Sequence, residues 1–279
     1  MSDRRLTPAN GRVAHAALEG QVAADRYVSG DWARIAAPLA DLLARPDGPR
    51  DRQVLMGERV LVLDRHGGFA FVQAEKDGYC GYLAEPVIGA DRAATHWVSA
   101  PATHLYREPD IKRPEVASLT LGARLTVTAE HLAFLETAEG LFVPRMHLKP
   151  LGDWADDPAG VAESLTGTPY LWGGNARSGI DCSGLVQAAL LACGIACPGD
   201  SDLQEAALGA PLPEDAGYRR GDLLFWKGHV AMAVSETQLI HANAFHMAVA
   251  HEGTAEAIAR IARQGDGRPS TVKRLAARR

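Results

Sequence analysis

One cysteine stands where a nucleophile would. Cys182 lies in Asp181-Cys182-Ser183-Gly184-Leu185-Val186-Gln187, just after the glycine-containing stretch Tyr170-Leu171-Trp172-Gly173-Gly174-Asn175 and at the head of an apolar run. A thiol in the first turn of a helix meets unpaired N–H groups and a partial positive charge, both of which favour thiolate. Free cysteines are commonly buried small hydrophobes, so the partners of Cys182 must decide its role. Two histidines follow on runs that read as strands: His229 in Gly228-His229-Val230-Ala231-Met232-Ala233-Val234 and His241 in Leu239-Ile240-His241-Ala242-Asn243. A thiol attacking a peptide bond needs an imidazole to take its proton and return it to the leaving amine, and that imidazole needs a third group to fix its tautomer. Cys182, His229 and His241 supply one residue for each part. Each histidine alone also fits a strand residue satisfied by backbone, and the hairpin register that would bring the two together is not written in the spacing.

The chain that must position these groups has 279 residues, 47% hydrophobic and 23% charged, which fits globular domains and argues against a coiled coil or a disordered chain. Its net charge of −5 gives no general attraction for nucleic acid or anionic lipid. Four cysteines are too few for a disulfide framework at this length. Cys193 and Cys197 have no second Cys/His pair at zinc-like spacing and read as buried thiols, so no metal is expected. The first residues carry charge with no apolar stretch behind them, and the apolar-rich run Leu185 to Cys197 is broken by Gln187 and Gly194. The expectation is a cytoplasmic protein without a membrane span. Lys273, Arg274, Arg278 and Arg279 read as a solvated tail, not a nucleic-acid patch.

An internal repeat occupies the middle of the chain. Ala37-Pro38, Leu42 and Pro46-Asp47 match Ala100-Pro101, Leu105 and Pro109-Asp110 at an offset of 63; Gly57-x-Arg59-Val60-x-Val62 matches Gly122-x-Arg124-Leu125-x-Val127 at 65; and Phe71 is set against Phe134, back at 63. Period-two alternation between turn residues predicts two small antiparallel barrels, over 33–92 and 93–152. Residues 1–32 are expected to be partly helical, with Val13, Ala16, Ala17 and Leu18 near helical spacing, and to pack on or wrap the first barrel. Beyond the turn-rich Pro150-Leu151-Gly152-Asp153, the region 153–279 reads as mixed: helices from Pro158 and Cys182, strands at 222–226, 229–234 and 239–242, a helical Ala/Glu/Arg segment and a last strand near 270–275.

That last region resembles the NlpC/P60 family of papain-like cysteine peptidases across about 155–275. The resemblance is carried by Pro169-Tyr170-x-Trp172-Gly173-Gly174, the Asp181–Gln187 stretch, Arg220-Gly221-Asp222-Leu223-x-Phe225, Gly228-His229-Val230 and Ile240-His241-Ala242. The repeats resemble bacterial SH3-like (SH3b) domains, and the layout is similar to the subgroup that cleaves γ-D-glutamyl bonds to diamino acids in murein peptides. The implied fold is α+β, a papain-like catalytic domain after two SH3-like barrels. The implied roles are Cys182 as nucleophile, His229 as general base and acid, His241 as orienting residue, and Tyr170 with its hydroxyl beside the thiol. The N–H of Cys182 is the natural oxyanion donor. Asp181, Ser183 and Ser201 are expected to meet substrate, Ser201 also being a good helix N-cap. Glu58, in Met56-Gly57-Glu58 where the subgroup has Tyr-Gly-Glu, is expected to bind the ammonium of a free N-terminal L-Ala, with Tyr79 as its neighbour. The implied partner is a murein peptide and the implied process recycling, with no cofactor. An amidase or acyltransferase on the same core, and a non-catalytic wall-binding protein, are the alternatives.

Overall fold

The computed structural model describes residues 3–213 and 215–276; Arg278 and Arg279 of the basic tail lie outside the described residues. The chain forms two compact units, 1–153 and 154–279.

Both barrels belong to the first unit. The first is a seven-stranded antiparallel sheet in the order Arg50–Leu55, Leu39–Leu43, Cys80–Ala84, Phe69–Ala74, Arg59–His66, Asp31–Ile35 and Ile88–Ala90. Its core gathers the inward residues Ile35, Leu42, Val54, Val60, Val72 and Leu83. The second divides its strands between a five-stranded and a three-stranded sheet, around Val98, Leu105, Leu119, Leu125, Leu135 and Val143. The barrels share one unit because Leu55 belongs to that second core and Met56 O accepts a 2.8 Å hydrogen bond from Arg124 N. Gly57 sits at this junction with φ +76°, where a Cβ would lie 2.0 Å from Arg124 O, so the approach admits only glycine. Each barrel has a 3₁₀ turn before its last strand, Glu85–Val87 in one and Arg145–His147 in the other.

Two expectations change. Val62 pairs with Val72 and Val127 with Thr137, so the offset of 65 holds through this hairpin and Phe134 corresponds to Phe69, not Phe71. The segment before the first barrel has no α-helix: Val13–His15 is a strand, Ala16–Leu18 one 3₁₀ turn, and Arg26–Val28 a strand parallel to the first. Val13 is fully buried against Leu61, Leu63, Phe71 and Cys80. The near-helical spacing was overridden by this burial on the barrel's outer face, and the segment wraps the barrel.

The second unit is α+β. Helix α1 (Pro158–Ser164) starts at Asp157, whose side chain accepts from Ala159 N. Helix α2 (Cys182–Ala192) is buried along most of its length and packs on the sheet. Helix α3 (Ser201–Ala207) and helix α4 (Thr254–Gln264) complete the helices. The sheet runs Ala210–Pro211, Thr271–Arg274, Leu223–Trp226, His229–Ala233, Gln238–Asn243 and Ala248–Gly253, with successive neighbours antiparallel. The strand Ala248–Gly253 was not anticipated, and it matters below. Asp222 is buried and bound through both oxygens, at 2.7 Å each, by Arg274, which ties the last strand to the sheet. No helix among the described residues is long and apolar enough to cross a membrane.

Candidate active site

Cys182 is the first residue of α2, and the loop before it is built to hold it there. Asp181 caps the helix: its Oδ1 accepts from Gly184 N at 2.6 Å and from Ser183 Oγ at 3.0 Å, and its Oδ2 accepts from Gly173 N at 3.0 Å. The Trp172-Gly173-Gly174 turn is thus fastened to the helix start. At Gly184 a Cβ would meet Gly174 O at 2.4 Å, so both glycines serve close approach. Gln204 of α3 donates to Ser183 O at 2.9 Å and braces the same turn. Asp181 and Ser183 therefore use their side chains on each other and on the backbone. Ser201 is buried and is the first residue of α3; the cap position belongs to Asp200.

The backbone N–H groups of Val230, Ser183 and Cys182 itself point at the sulfur, which sets it at the end of the strand that begins with His229. These donors act to lower the thiol, yet burial, reinforced by the Asp181 carboxylate, pushes it up to about 12. The helix N-terminus alone therefore does not deliver a thiolate. Tyr170 is tied beside this turn, its N–H donating to Met247 O at 2.9 Å, while Ile180 N donates to Pro169 O at 3.0 Å. Burial, and the proximity of Cys182 and Asp181, push its phenol up to about 12, so the hydroxyl keeps its proton.

The two histidines meet. His229 Nε2 lies 2.9 Å from His241 Nδ1. The register that pairs Met232 with Ile240 sets His241 diagonally across from His229 on one face of the sheet. Two residues that the sequence reading did not single out extend the line. His241 Nε2 lies 3.1 Å from Glu252 Oε2, and Arg260 of α4 grips Glu252 through Nε at 2.9 Å and Nη2 at 2.7 Å. Arg260 holds the Glu252 carboxyl below its usual range, so it is ionised and can only accept. The hydrogen between His241 and Glu252 is then on His241 Nε2. His241 Nδ1 must accept from His229 Nε2, and His229 Nδ1 is left bare, as a base requires. Burial is the main force that lowers His229 to about 3 and His241 to about 4, so both rings are neutral at pH 7.

His241, His246 and Glu252 also offer ligand atoms within 4.8 Å of one another. The carboxylate is already spent on Arg260 and His241, and the guanidinium repels a cation there. Cys193 and Cys197 are buried thiols, as expected.

In the first unit, Glu58 follows the Gly57 turn and is buried. Its Oε1 accepts from Lys76 Nζ at 2.7 Å, with both side chains 9% exposed, and its Oε2 is buried without a hydrogen-bond partner among the described residues. Lys76 was not foreseen. Tyr79 precedes the strand Cys80–Ala84, is 3% exposed and belongs to the first barrel's core cluster.

Comparison with known proteins agrees with this geometry. The NlpC/P60 family matches residues 167–260, and the bacterial dipeptidyl-peptidase Sh3 domain matches residues 42–86. The γ-D-glutamyl-L-lysine dipeptidyl-peptidase of Bacillus subtilis is 30% identical over 215 residues, 68% of this chain and 71% of that protein. Dipeptidyl-peptidase 6 of Lysinibacillus sphaericus is 28% identical over 240 residues, 75% of this chain and 86% of its own length. The crystal structure of an NlpC/P60 family protein from Bacillus cereus superposes with a TM-score of 0.73 at 21% identity, over 88% of this chain and 99% of that one, a likeness of fold. With this chemistry on this scaffold, the chain belongs to the NlpC/P60 family of cysteine peptidases, in the form that carries a bacterial SH3 module.

Proposed function

We propose that this peptidase hydrolyses the γ-D-glutamyl bond to a diamino acid in short murein peptides with a free N-terminal L-Ala, acting in the cytoplasm in cell-wall peptide recycling. The observation that carries the reading is the line from His229 through His241 to Glu252, which leaves His229 Nδ1 bare to take a proton from the thiol at the start of α2. The resting pair is neutral, so the proton passes from Cys182 Sγ to His229 Nδ1 as the sulfur attacks the γ-carbonyl carbon. The imidazolium then forms against His241, which is held by an ionised Glu252. The N–H groups at the head of α2 receive the oxyanion. His229 returns the proton to the leaving amine, and water, deprotonated by the same ring, cleaves the thioester to release the dipeptide. Glu58 takes the substrate ammonium: one of its oxygens already holds Lys76, and the other, buried without a partner, has the need that an ammonium meets. Such recognition restricts the enzyme to peptides with a free N-terminus, released fragments rather than intact wall. The curated names of the relatives support the bond type.

The test is to incubate the purified protein with L-Ala-γ-D-Glu-L-Lys, its diaminopimelate counterpart and their N-acetyl forms. Release of L-Ala-D-Glu from the free-amine peptides alone is expected. Equal cleavage of acetylated and free peptides, or cleavage of neither, sinks the reading. Cys182→Ala should lower turnover by at least about 10⁴-fold, since loss of a nucleophile removes the covalent route.

A further inference from the structure

A cleft of about 490 Å³ opens in the second unit beside His229. Its walls include Tyr170, Trp226, His229 and Phe245, with Lys227 and Asp266 also lining it. Resting on the function proposed above, we infer that this cleft is the binding site for the leaving diamino acid, with Asp266 receiving its distal ammonium and Lys227 its carboxylate.

Both halves of the substrate meet at His229 Nδ1, which takes the proton from Cys182 and returns it to the leaving amine. The acyl half must lie over Cys182 and the N–H groups of α2, whereas the leaving amine must lie against His229, which protonates it. The cleft has His229 as a wall and no residue of α2 in its lining. Its ionic groups divide cleanly. Arg260 is committed to Glu252 and stacks over the Phe245 ring at 4.5 Å from its centroid, and Gln264 accepts from Arg260 at 2.9 Å. Lys227 and Asp266 have no ion-pair or side-chain hydrogen-bond partner among the described residues. Both are exposed and stand outside the regular elements. Lys227 occupies the two-residue loop that joins Trp226 to its partner His229, with Gly228 at φ +73°. Asp266 stands between Gly265 at φ +104° and Gly267 at φ +74°, past the end of α4. Phe245, 60% exposed, offers a ring for the methylene chain, and the buried Nε1–H of Trp226 in the wall lacks an acceptor among the described residues. An ammonium, a carboxylate and a short apolar chain between them describe a free diamino acid.

The experiment measures kcat/KM of the full chain for L-Ala-γ-D-Glu-L-Lys, for the L-norleucine peptide that lacks the ammonium, and for the lysine α-amide that lacks the carboxylate. Wild type should favour lysine over norleucine by about fivefold, the scale of one solvent-exposed ion pair. Asp266→Asn should bring that ratio to about one without closing the gap to the α-amide, and Lys227→Gln should do the reverse. Equal cleavage of the lysine and norleucine peptides by wild type, or ratios that neither substitution moves, overturns the inference while the proposed bond specificity stands. If wild type cleaves none of the three, the functional reading falls and this one with it.

Discussion

Two buried carboxylates, one in each unit, are treated in opposite ways. Glu252 has both oxygens engaged, by Arg260 and by His241, and its charge is balanced in place. Glu58 has one oxygen on Lys76 and the other buried and unmatched. Leaving a buried polar atom unpaired costs on the order of 1–3 kcal/mol, so the saturated acid is a fixture, while the unsaturated one fits the receptor role proposed above. The repeat sharpens the contrast. Gly57-Glu58-Arg59 and Gly122-Ala123-Arg124 form the same turn, with glycine φ of +76° and +89° and the following N–H bonded to Leu55 O and Thr120 O. The second barrel puts Ala123, fully buried, where the first puts Glu58. The fold of the repeat does not need the acid.

The largest effect expected in this comparison comes from the saturated acid. Glu252→Leu removes the acceptor that fixes His241, and kcat should fall by about 10- to 100-fold with KM little changed. Glu252→Asp should recover part of the loss. Imidazole ¹⁵N shifts should show the His241 tautomer becoming mixed, which a merely structural role would not produce; unchanged shifts with lowered kcat would count against the positioning role. Glu58 should behave differently. Glu58→Ala paired with Lys76→Leu copies the residue of the second barrel without leaving a lone buried ion, and it should fold normally. The preference for free over N-acetylated peptide should shrink by roughly tenfold or more, the scale of a hydrogen bond to a charged group, chiefly through KM. An unchanged preference would remove Glu58 from the site.

The sequence carried the local parts of this arrangement further than the distant ones. The start of α2 at Cys182 was legible because an Asp cap, two close-approach glycines and an apolar run all fall within a dozen residues. The strands bearing His229 and His241 were legible from alternation. Glu252 and Arg260 were not. Their link to His241 depends on the strand Ala248–Gly253 pairing so that His241 faces Ala250 and Glu252 falls diagonal to it, and that register is set by the Asn243–Met247 turn, where Met247 takes φ +50° against residue preference. Lys76 escaped for the same reason, since its approach to Glu58 crosses a hairpin. A tyrosine beside a glycine turn fits a rim as well as a core, and only the neighbouring strands put Tyr79 in the core cluster.

A last test asks whether Glu252 holds a neutral ring or a charged one. His241 is 1% exposed and faces Glu252, Arg260, His229 and His246. Burial lowers it to about 4, although Glu252 pulls the other way. In the unfolded chain the ring takes a proton near pH 6.5, and in the folded chain not until about 4. Protons therefore favour the unfolded state in that window. The ring's contribution is complete above about pH 6.5 and is lost as pH falls toward 4, at up to roughly 1.4 kcal/mol per pH unit. Comparing urea midpoints of wild type and His241→Asn across pH 7.5 to 4.5 cancels the carboxylates common to both, and the wild type should lose stability faster. If the variant instead gains relative to wild type as pH rises through 7, Glu252 has raised the ring rather than merely oriented it. The resting site would then hold an imidazolium, and the proton relay from Cys182 would have to begin from a thiolate.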